Sequence, residues 1–501
     1  TICNSISRCI IGIGKYVLSI CNSKMSTLKS AQKFIGREEE LQNLEALLKK
    51  KTASFVVIKG RRRIGKSRLI QEFGKNFDAV YTFAGLAPTK QTTTTQQLNE
   101  FSRQMTHTFD MPYVQYQDWS DIFWALATHL KKGKILLFFD EISWMGSQDP
   151  AFLSKIKNFW DLYLQKNNQL IFVVCGSASA WIEKNILSTA GFVGRISYTM
   201  TLRELSLNEC NQFWPKTISA YEKLKILSIT GGVPKYLEEI NPKECAEDNI
   251  KRLCFTEGGF LVDEFERMFS DVLLRDSPFY RKIIHALGSG PKEAKTIQDA
   301  LHAETQGRLL EYLYELELAG FIARDYTWNL ETGTDAKLSH YRLIDNYMHF
   351  YIKYIAKNLS KITRGTYALQ SLTGLPGWTG IMGLQFENLV LNNRRMIHQS
   401  LGIKPEDIIC ENPFFQRTTK SMPGCQIDYM IQTKFHCLYI CEIKFSKHML
   451  DVAIIQEVQQ KIARLKYPKG FSIRPVLIHV NGVHEDVIDL DYFTNIIAFP
   501  T

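Results

Sequence analysis

A short run of β-branched and aromatic residues, Ser54-Phe55-Val56-Val57-Ile58-Lys59, leads straight into Gly60-Arg61-Arg62-Arg63-Ile64-Gly65-Lys66-Ser67. Helical sequence follows from Arg68 to Phe77. No other feature constrains the fold as tightly. A continuous apolar run reads as a strand buried on both faces, and a GxxxxGK[ST] loop has meaning only between such a strand and a helix. Its glycines let backbone N–H groups turn inward around phosphate oxygens, and the helix N-terminus favours an anion. Lys66 brings charge to the β- and γ-phosphates, and Ser67 is suited to ligate Mg²⁺. Gly60, Arg61, Arg62, Arg63, Ile64, Gly65, Lys66, Ser67 and Arg68 are therefore the expected ATP-binding stretch, a Walker A loop. The three consecutive arginines can either aid triphosphate binding or face solvent.

A partner strand should lie beside the first. Lys134-Ile135-Leu136-Leu137-Phe138-Phe139 ends in Asp140-Glu141, the Walker B position. A strand-end aspartate is where a phosphate-loop enzyme organises Mg²⁺, so Asp140 takes that role. Glu141 is expected to polarise the attacking water. A third strand, Gln169 to Cys175, ends in Gly176-Ser177, and Ser177 is the candidate sensor of the γ-phosphate. Gly194-Arg195 precedes a further strand-like run, Ile196 to Leu202. Arg195 reads equally well as an arginine finger, in cis or from a neighbour, or as a surface ion pair.

These motifs, with Phe34-Ile35-Gly36-Arg37 ahead of them and Thr230-Gly231-Gly232-Val233-Pro234-Lys235-Tyr236-Leu237 behind, resemble the archaeal-type AAA ATPases of the AAA+/signal-transducing division. The resemblance implies that the Gly-Gly-x-Pro segment sits in a helical lid over the nucleotide. Gly-Gly followed by Val-Pro independently reads as a helix break and turn. The expected ATPase unit spans residues 34–275.

Residues 276–345 read as helices near Pro278–Leu287, Thr296–Leu301 and Gln306–Ala319, then strands Phe321–Tyr326 and His340–Leu343 around a polar tip. That is a winged helix-turn-helix pattern. Leu309, Leu310, Leu313, Leu316 and Leu318 form the apolar part of its third helix. The segment holds 8 basic and 11 acidic residues, and the third helix sets Glu311, Glu315 and Glu317 against Arg308. DNA reading without a basic face lacks its main electrostatic contribution, so an intramolecular connector is expected ahead of direct DNA reading. The aromatic run Tyr347 to Tyr354 reads as a core helix stripe.

Beyond a Gly/Pro-rich stretch from Gly374 to Gly383, a helix is expected over Leu384–His398, then strands. One begins at Gly424 and carries Asp428; the next, Cys437 to Phe445, carries Glu442 and Lys444; a helix over Val452–Leu465 follows. Residues i and i+2 of a strand share a face, so Glu442 and Lys444 point the same way. Two carboxylates, Asp428 and Glu442, suit Mg²⁺ or Mn²⁺, and Lys444 can activate water for phosphodiester attack. This set resembles the PD-(D/E)xK nuclease superfamily. The resemblance adds Glu387 as the acid of the first helix and Lys461, or a nearby glutamine, as the polar residue of the last. Residues 346–501 are the expected nuclease-like domain, with 17 basic and 12 acidic residues.

The fold class expected is α/β: a phosphate-loop NTPase parallel sheet with helical lid, a winged helix-turn-helix, and a small restriction-endonuclease-like α/β domain. Residues 1–33 are an extension, with Met25 as the expected initiator and the start non-native. Eleven cysteines without CxxC pairs or zinc spacing fit a reducing cytoplasm. No apolar run outside the extension is long enough to span a bilayer. The expected activity is Mg²⁺-dependent ATP hydrolysis coupled to a nuclease-like domain acting on DNA, in defence, mobile-element or repair chemistry, with a homo-oligomer as a further partner. The rival is an ATP-controlled switch or scaffold whose C-terminal domain only binds.

Overall fold

The computed structural model describes residues 33–499, apart from Lys90 and residues 273–276, 302–305, 369–370 and 421–422. The expected initiator Met25 and most of the extension lie outside the described residues. Every described helix and strand lies within residues 37–501.

Five strands, β1 (Ser54–Lys59), β2 (Ala79–Ala84), β3 (Ile135–Asp140), β4 (Ile171–Gly176) and β5 (Ile196–Thr201), form one sheet in the order β2-β3-β4-β1-β5. Every pairing is parallel. All six residues of β1 are buried, as are all six of β4, which explains why both read as unbroken apolar runs. One face of the sheet is filled by aromatic packing: Phe55 meets Trp160 and Phe172, and Phe139 meets Phe83, Phe101 and Phe172. Helix α1 (Lys66–Phe73) begins directly after the phosphate loop.

After β5 the chain passes through Leu202–Leu205 and reaches α2 (Ala220–Thr230). Gly231-Gly232 ends that helix, and Pro234 opens the next, Pro234–Leu237. A Cβ on Gly232 would stand 2.3 Å from the Leu205 carbonyl oxygen. Close backbone approach, as much as turning, is why this position takes glycine. Helix α3 (Glu264–Val272) follows.

Helices α4 (Ser277–Leu287), α5 (Ala294–Leu301) and α6 (Gln306–Leu318) precede an antiparallel hairpin, β6 (Ile322–Trp328) and β7 (Asp335–Leu343). The strands run further into the tip than the sequence suggests. Only part of the expected apolar stripe on α6 is buried. Leu309, Leu313 and Leu316 are fully covered, whereas Leu310 is 39% exposed and Tyr314 54%.

Helix α7 (Asn346–Phe350) opens the C-terminal region, and its stripe of Tyr347, Phe350, Tyr351 and Tyr354 is buried as expected. The single helix expected over Leu384–His398 is instead two, α8 (Trp378–Asn392) and α9 (Arg394–Leu401). Asn393 leaves the helical path because its side chain accepts from the Leu207 N–H at 3.0 Å and donates to the Leu389 carbonyl at 2.8 Å. A tertiary contact therefore outweighs local propensity. Strands β8 (Ile408–Gln416), β9 (Cys425–Thr433), β10 (Cys437–Lys444), β11 (Ser472–His479) and β12 (Asn495–Ala498) form a second sheet in the order β12-β11-β10-β9-β8. β8-β9-β10 are antiparallel, and β10-β11-β12 parallel, with α10 (Ala453–Arg464) as the crossover.

One apolar core runs from Leu205 in the lid region to Phe499, and a separate one, Ala53 to Phe192, fills the first sheet. The lid region thus shares its core with the C-terminal region. A buried ion pair spans the hairpin: Arg342 donates to Asp325 at 2.8 and 3.2 Å and also to Asn388 on α8. Burial works against the Arg342 cation, but Asp325 outweighs it and holds its pKa above the usual value. Arg342→Ala strands the Asp325 carboxylate, 1% exposed, and is expected to cost about 3–5 kcal/mol. Chemical unfolding measures this; a loss below about 1 kcal/mol, the scale of an exposed pair, contradicts it.

Candidate functional site

Parallel pairing sets the carboxyl ends of three strands side by side: Lys59 of β1 is level with Gly176 of β4, and Phe139 of β3 with Val174. The loops leaving them converge on one crest, where sheets of this type bind ligands. A Cβ on Gly60 would lie 2.4 Å from the Leu202 carbonyl oxygen, so the phosphate loop starts against the backbone beyond β5. The Lys66 ammonium donates to the carbonyls of Gly60 and Arg61 at 2.9 and 3.1 Å, curling back over the loop. Ser67 Oγ donates to Asp140 Oδ2 at 2.6 Å. Cys175 Sγ donates to Asp140 Oδ1 at 2.9 Å; burial, then the charge of Asp140, pushes this thiol's pKa well up, so it stays a donor. Glu141 sits in left-handed backbone, φ 50 and ψ 54. Its Oε2 accepts from both the N–H and the hydroxyl of Ser177, each at 3.0 Å.

Lys66, Ser67, Asp140, Glu141 and Ser177 are thus brought together. The oxygen donors of Ser67 and Asp140 fit Mg²⁺. Glu141, oriented by Ser177, offers a carboxylate as proton acceptor at the same crest.

The arginines of the loop are engaged by later parts of the chain, with Arg62 half-exposed. Arg61 is buried and paired with Asp345, immediately before α7, and with Glu204 at 3.2 Å. Burial opposes the Arg61 cation, but Asp345 and Glu204 outweigh it and raise its pKa. Arg63 makes a bidentate contact with Glu264 of α3 at 3.0 and 3.2 Å. Arg62 reaches the Arg267 carbonyl at 3.4 Å, and Arg68 lies 3.8 Å from Glu238. These side chains tie the loop to later parts of the chain. Arg37 adds a further tie, donating to the Ile64 and Arg203 carbonyls at 3.1 and 2.6 Å.

Arg195 is not brought to the crest. It precedes β5 at the level of Phe55, whereas the loop leaves after Lys59, level with Thr201. That is about 13 Å of strand away. Its guanidinium is held bidentately by Asp161 at 2.8 and 2.9 Å, so the surface ion pair is the state observed.

A second convergence lies in the C-terminal sheet. Asp428 on β9 accepts from the Ile443 N–H at 3.0 Å, which fixes it beside Glu442 on β10. Lys461 of α10 bridges the two, at 2.6 and 2.8 Å from the Glu442 oxygens and 3.4 Å from Asp428. Lys444 stands 2.9 Å from Glu442 and 2.8 Å from Glu457. Burial opposes its charge, but Glu442 and Glu457 outweigh it and push Lys444 up to about 12. Burial, then the nearby Asp428, pushes Glu387 of α8 up to about 8, and acts in the same direction on Glu442. Among the described residues no three His, Cys, Asp or Glu side chains stand at metal-ligating distances. The donor chemistry, acids against lysines, fits a hard divalent cation only with Lys461 swung aside.

The residues missed by sequence reasoning are Asp345, Glu204, Glu264 and Arg37. Only Arg37 left a signal, as part of the Gly-Arg pair ahead of the first strand.

A parallel sheet with a phosphate loop, a strand-end Asp-Glu and a glycine-broken lid defines a P-loop ATPase. A family model described as an ATPase domain predominantly from Archaea matches residues 34–240. Residues 34–240 are similar to that domain, and the chain is an ATPase. An uncharacterized protein of Methanocaldococcus jannaschii is 27% identical over 365 residues, 71% of this chain and 76% of the relative. An uncharacterized ATP-binding protein of the same organism is 42% identical over 43 residues, 9% of this chain and 73% of the relative. Among solved structures, the Walker-type ATPase of Pyrococcus abyssi aligns with TM-score 0.44 at 16% identity, over 64% of this chain and 96% of the other. The ORC2 protein of Aeropyrum pernix aligns with TM-score 0.40 at 13% identity, over 67% and 96%. No described helix is long and apolar enough to cross a membrane.

The Arg61–Asp345 pair is testable by a double-mutant cycle. Arg61→Ala leaves Asp345 and Glu204 without their shared cation and is expected to cost about 3–5 kcal/mol; Asp345→Ala leaves Arg61 with Glu204 as its remaining acid and is expected to cost less. The double variant is expected to cost less than the two together, by about 0.5–3 kcal/mol of coupling in thermal unfolding. Strict additivity would contradict the pairing.

Proposed function

We propose that this ATPase couples Mg²⁺-dependent ATP hydrolysis to a PD-(D/E)xK-like site that acts on DNA. In the first site, Lys66 and the loop amides bind phosphates, Ser67 and Asp140 hold Mg²⁺, and Glu141, oriented by Ser177, accepts the proton of the attacking water. In the second, Asp428 and Glu442 would hold Mg²⁺ or Mn²⁺ with Lys461 swung aside, Glu387 would stand as the first-helix acid beside them, and Lys444 would orient water. The observation that carries the second half is the meeting of five titratable groups from four separate elements, α8, β9, β10 and α10, in one place. Surface charges scattered by strand alternation do not converge in this way.

The three helices and hairpin of residues 276–345 support a winged-helix reading in which the unit connects rather than reads DNA. Its third helix buries Leu309, Leu313 and Leu316 and carries Glu311, Glu315 and Glu317. The rival, an ATP-controlled switch or scaffold, draws on one observation: Lys461 already occupies the two carboxylates that a metal would need.

Lys66→Ala is expected to abolish ATP turnover; undiminished hydrolysis would sink the nucleotide-site assignment. Glu141→Gln should keep ATP binding while turnover drops about 10²–10⁴-fold. Purified protein with Mn²⁺ is expected to cut DNA, and Glu442→Ala to remove the cutting. DNA-stimulated ATP hydrolysis supports the enzyme reading, whereas nucleotide-dependent assembly without stimulation or cutting supports the switch.

A further inference from the structure

A cavity of about 690 Å³ opens where the end of the first sheet faces α6 and the β6–β7 hairpin. That is within the ~300–1,000 Å³ of small-ligand sites. It is lined by Lys59, Arg203 and Arg324 against one carboxylate, Glu317, and by Tyr314, Tyr326 and Tyr341. None of these residues belongs to the nucleotide site at the sheet crest or to the C-terminal cluster of acids and lysines.

Their bonding state separates them by role. Lys59 is neutralised by Glu183. Arg324 donates to Ser339 Oγ at 3.0 Å and lies over the rings of Tyr326 and Tyr341, at 4.6 and 5.5 Å from their centroids. That stack orients one guanidinium in the cavity wall. Arg203 is exposed, and its guanidinium makes no hydrogen bond or ion pair among the described residues. Tyr314 is 54% exposed and sits one helical turn from the half-exposed Leu310, which also lines the cavity. A free cation, an oriented cation and an open aromatic face are the two halves of nucleotide recognition: phosphate charge and base stacking.

We propose that this cavity binds a nucleotide, with its phosphate at Arg203 and Arg324 and its base against Tyr314, either free or as the end of a single nucleic-acid strand. Glu317 lies within charge–charge reach of Arg324 and is the one carboxylate among the lining residues, so it is the group that opposes an anion there. The ligand would bear on a segment that matters to the ATPase. Arg203 lies within Leu202–Leu205, whose carbonyls press on Gly60 of the phosphate loop and Gly232 of the lid.

The test uses the full chain with its ATP site filled by a non-hydrolysable ATP analogue and Mg²⁺. Anisotropy is read from a dye-labelled, 5′-phosphorylated oligothymidylate and from labelled thymidine monophosphate, which avoids adenine. At least one probe is expected to bind. Arg203→Ala and Tyr314→Ala should each weaken it about ten-fold, with unchanged melting temperature because both side chains are exposed, and Arg203→Lys should restore part of the loss. Displacement of the oligonucleotide by thymidine monophosphate identifies a single nucleotide as sufficient; binding of the oligonucleotide alone identifies the strand. Absence of binding by both probes, or full binding in either alanine variant, overturns the proposal. Loss of binding in Glu442→Ala with the cavity variants unaffected also overturns it, and assigns the strand to the C-terminal site.

Discussion

The buried ion pair between Arg61 and Asp345 holds the architecture together. It joins residues 284 positions apart, one in the phosphate loop and the other at the start of the C-terminal region. A guanidinium and a carboxylate removed from water are stable only as a pair, so neither region can shift without exposing the other's charge. Asp345 is doubly committed, because its second oxygen accepts from the Met348 N–H and caps α7. Glu204, the other acid on Arg61, accepts from the Gly232 N–H of the lid at 2.9 Å. A single arginine thus fixes the phosphate loop to the lid and to the C-terminal region at once.

From Asp345 the buried polar contacts continue toward the second site. Asn346 donates to the Gln385 carbonyl at 3.2 Å, and Gln385 donates back to the Asn346 carbonyl at 2.7 Å. Asn388 donates to Asn346 and to the Leu343 carbonyl, each at 3.1 Å, and accepts from Arg342. Its neighbour Glu387 faces Asp428. Most of these groups are satisfied by the next, which is how a core this apolar tolerates so many amides and charges. The lid and C-terminal region share one hydrophobic core for the same reason: their polar ends are already cross-linked.

What could be read from the sequence follows the range of the interaction. The nucleotide site was legible because its parts are local: a strand, a loop and a helix in order, then strand ends carrying Asp140, Glu141 and Ser177. The acids and lysines of the C-terminal site were legible through strand parity and helix position, and the structure does bring Glu387, Asp428, Glu442, Lys444 and Lys461 together. The ion pairs of the loop arginines were not legible because their partners, Asp345 and Glu264, are more than 190 positions away and carry no motif. The break at Asn393 and the exposed faces of Leu310 and Tyr314 were hidden for a related reason. Periodicity identifies an apolar stripe, but only the neighbouring elements decide which part of it is covered.

Hydrogen exchange at the phosphate loop tests most directly whether that loop depends on a contact from the far end of the chain. In Asp345→Ala, amides of residues 60–66 are expected to exchange faster than in the unaltered protein, while those of β3 and β4 keep their protection. Unchanged exchange in the loop would contradict that dependence, because it would mean that the loop holds its shape without the pair.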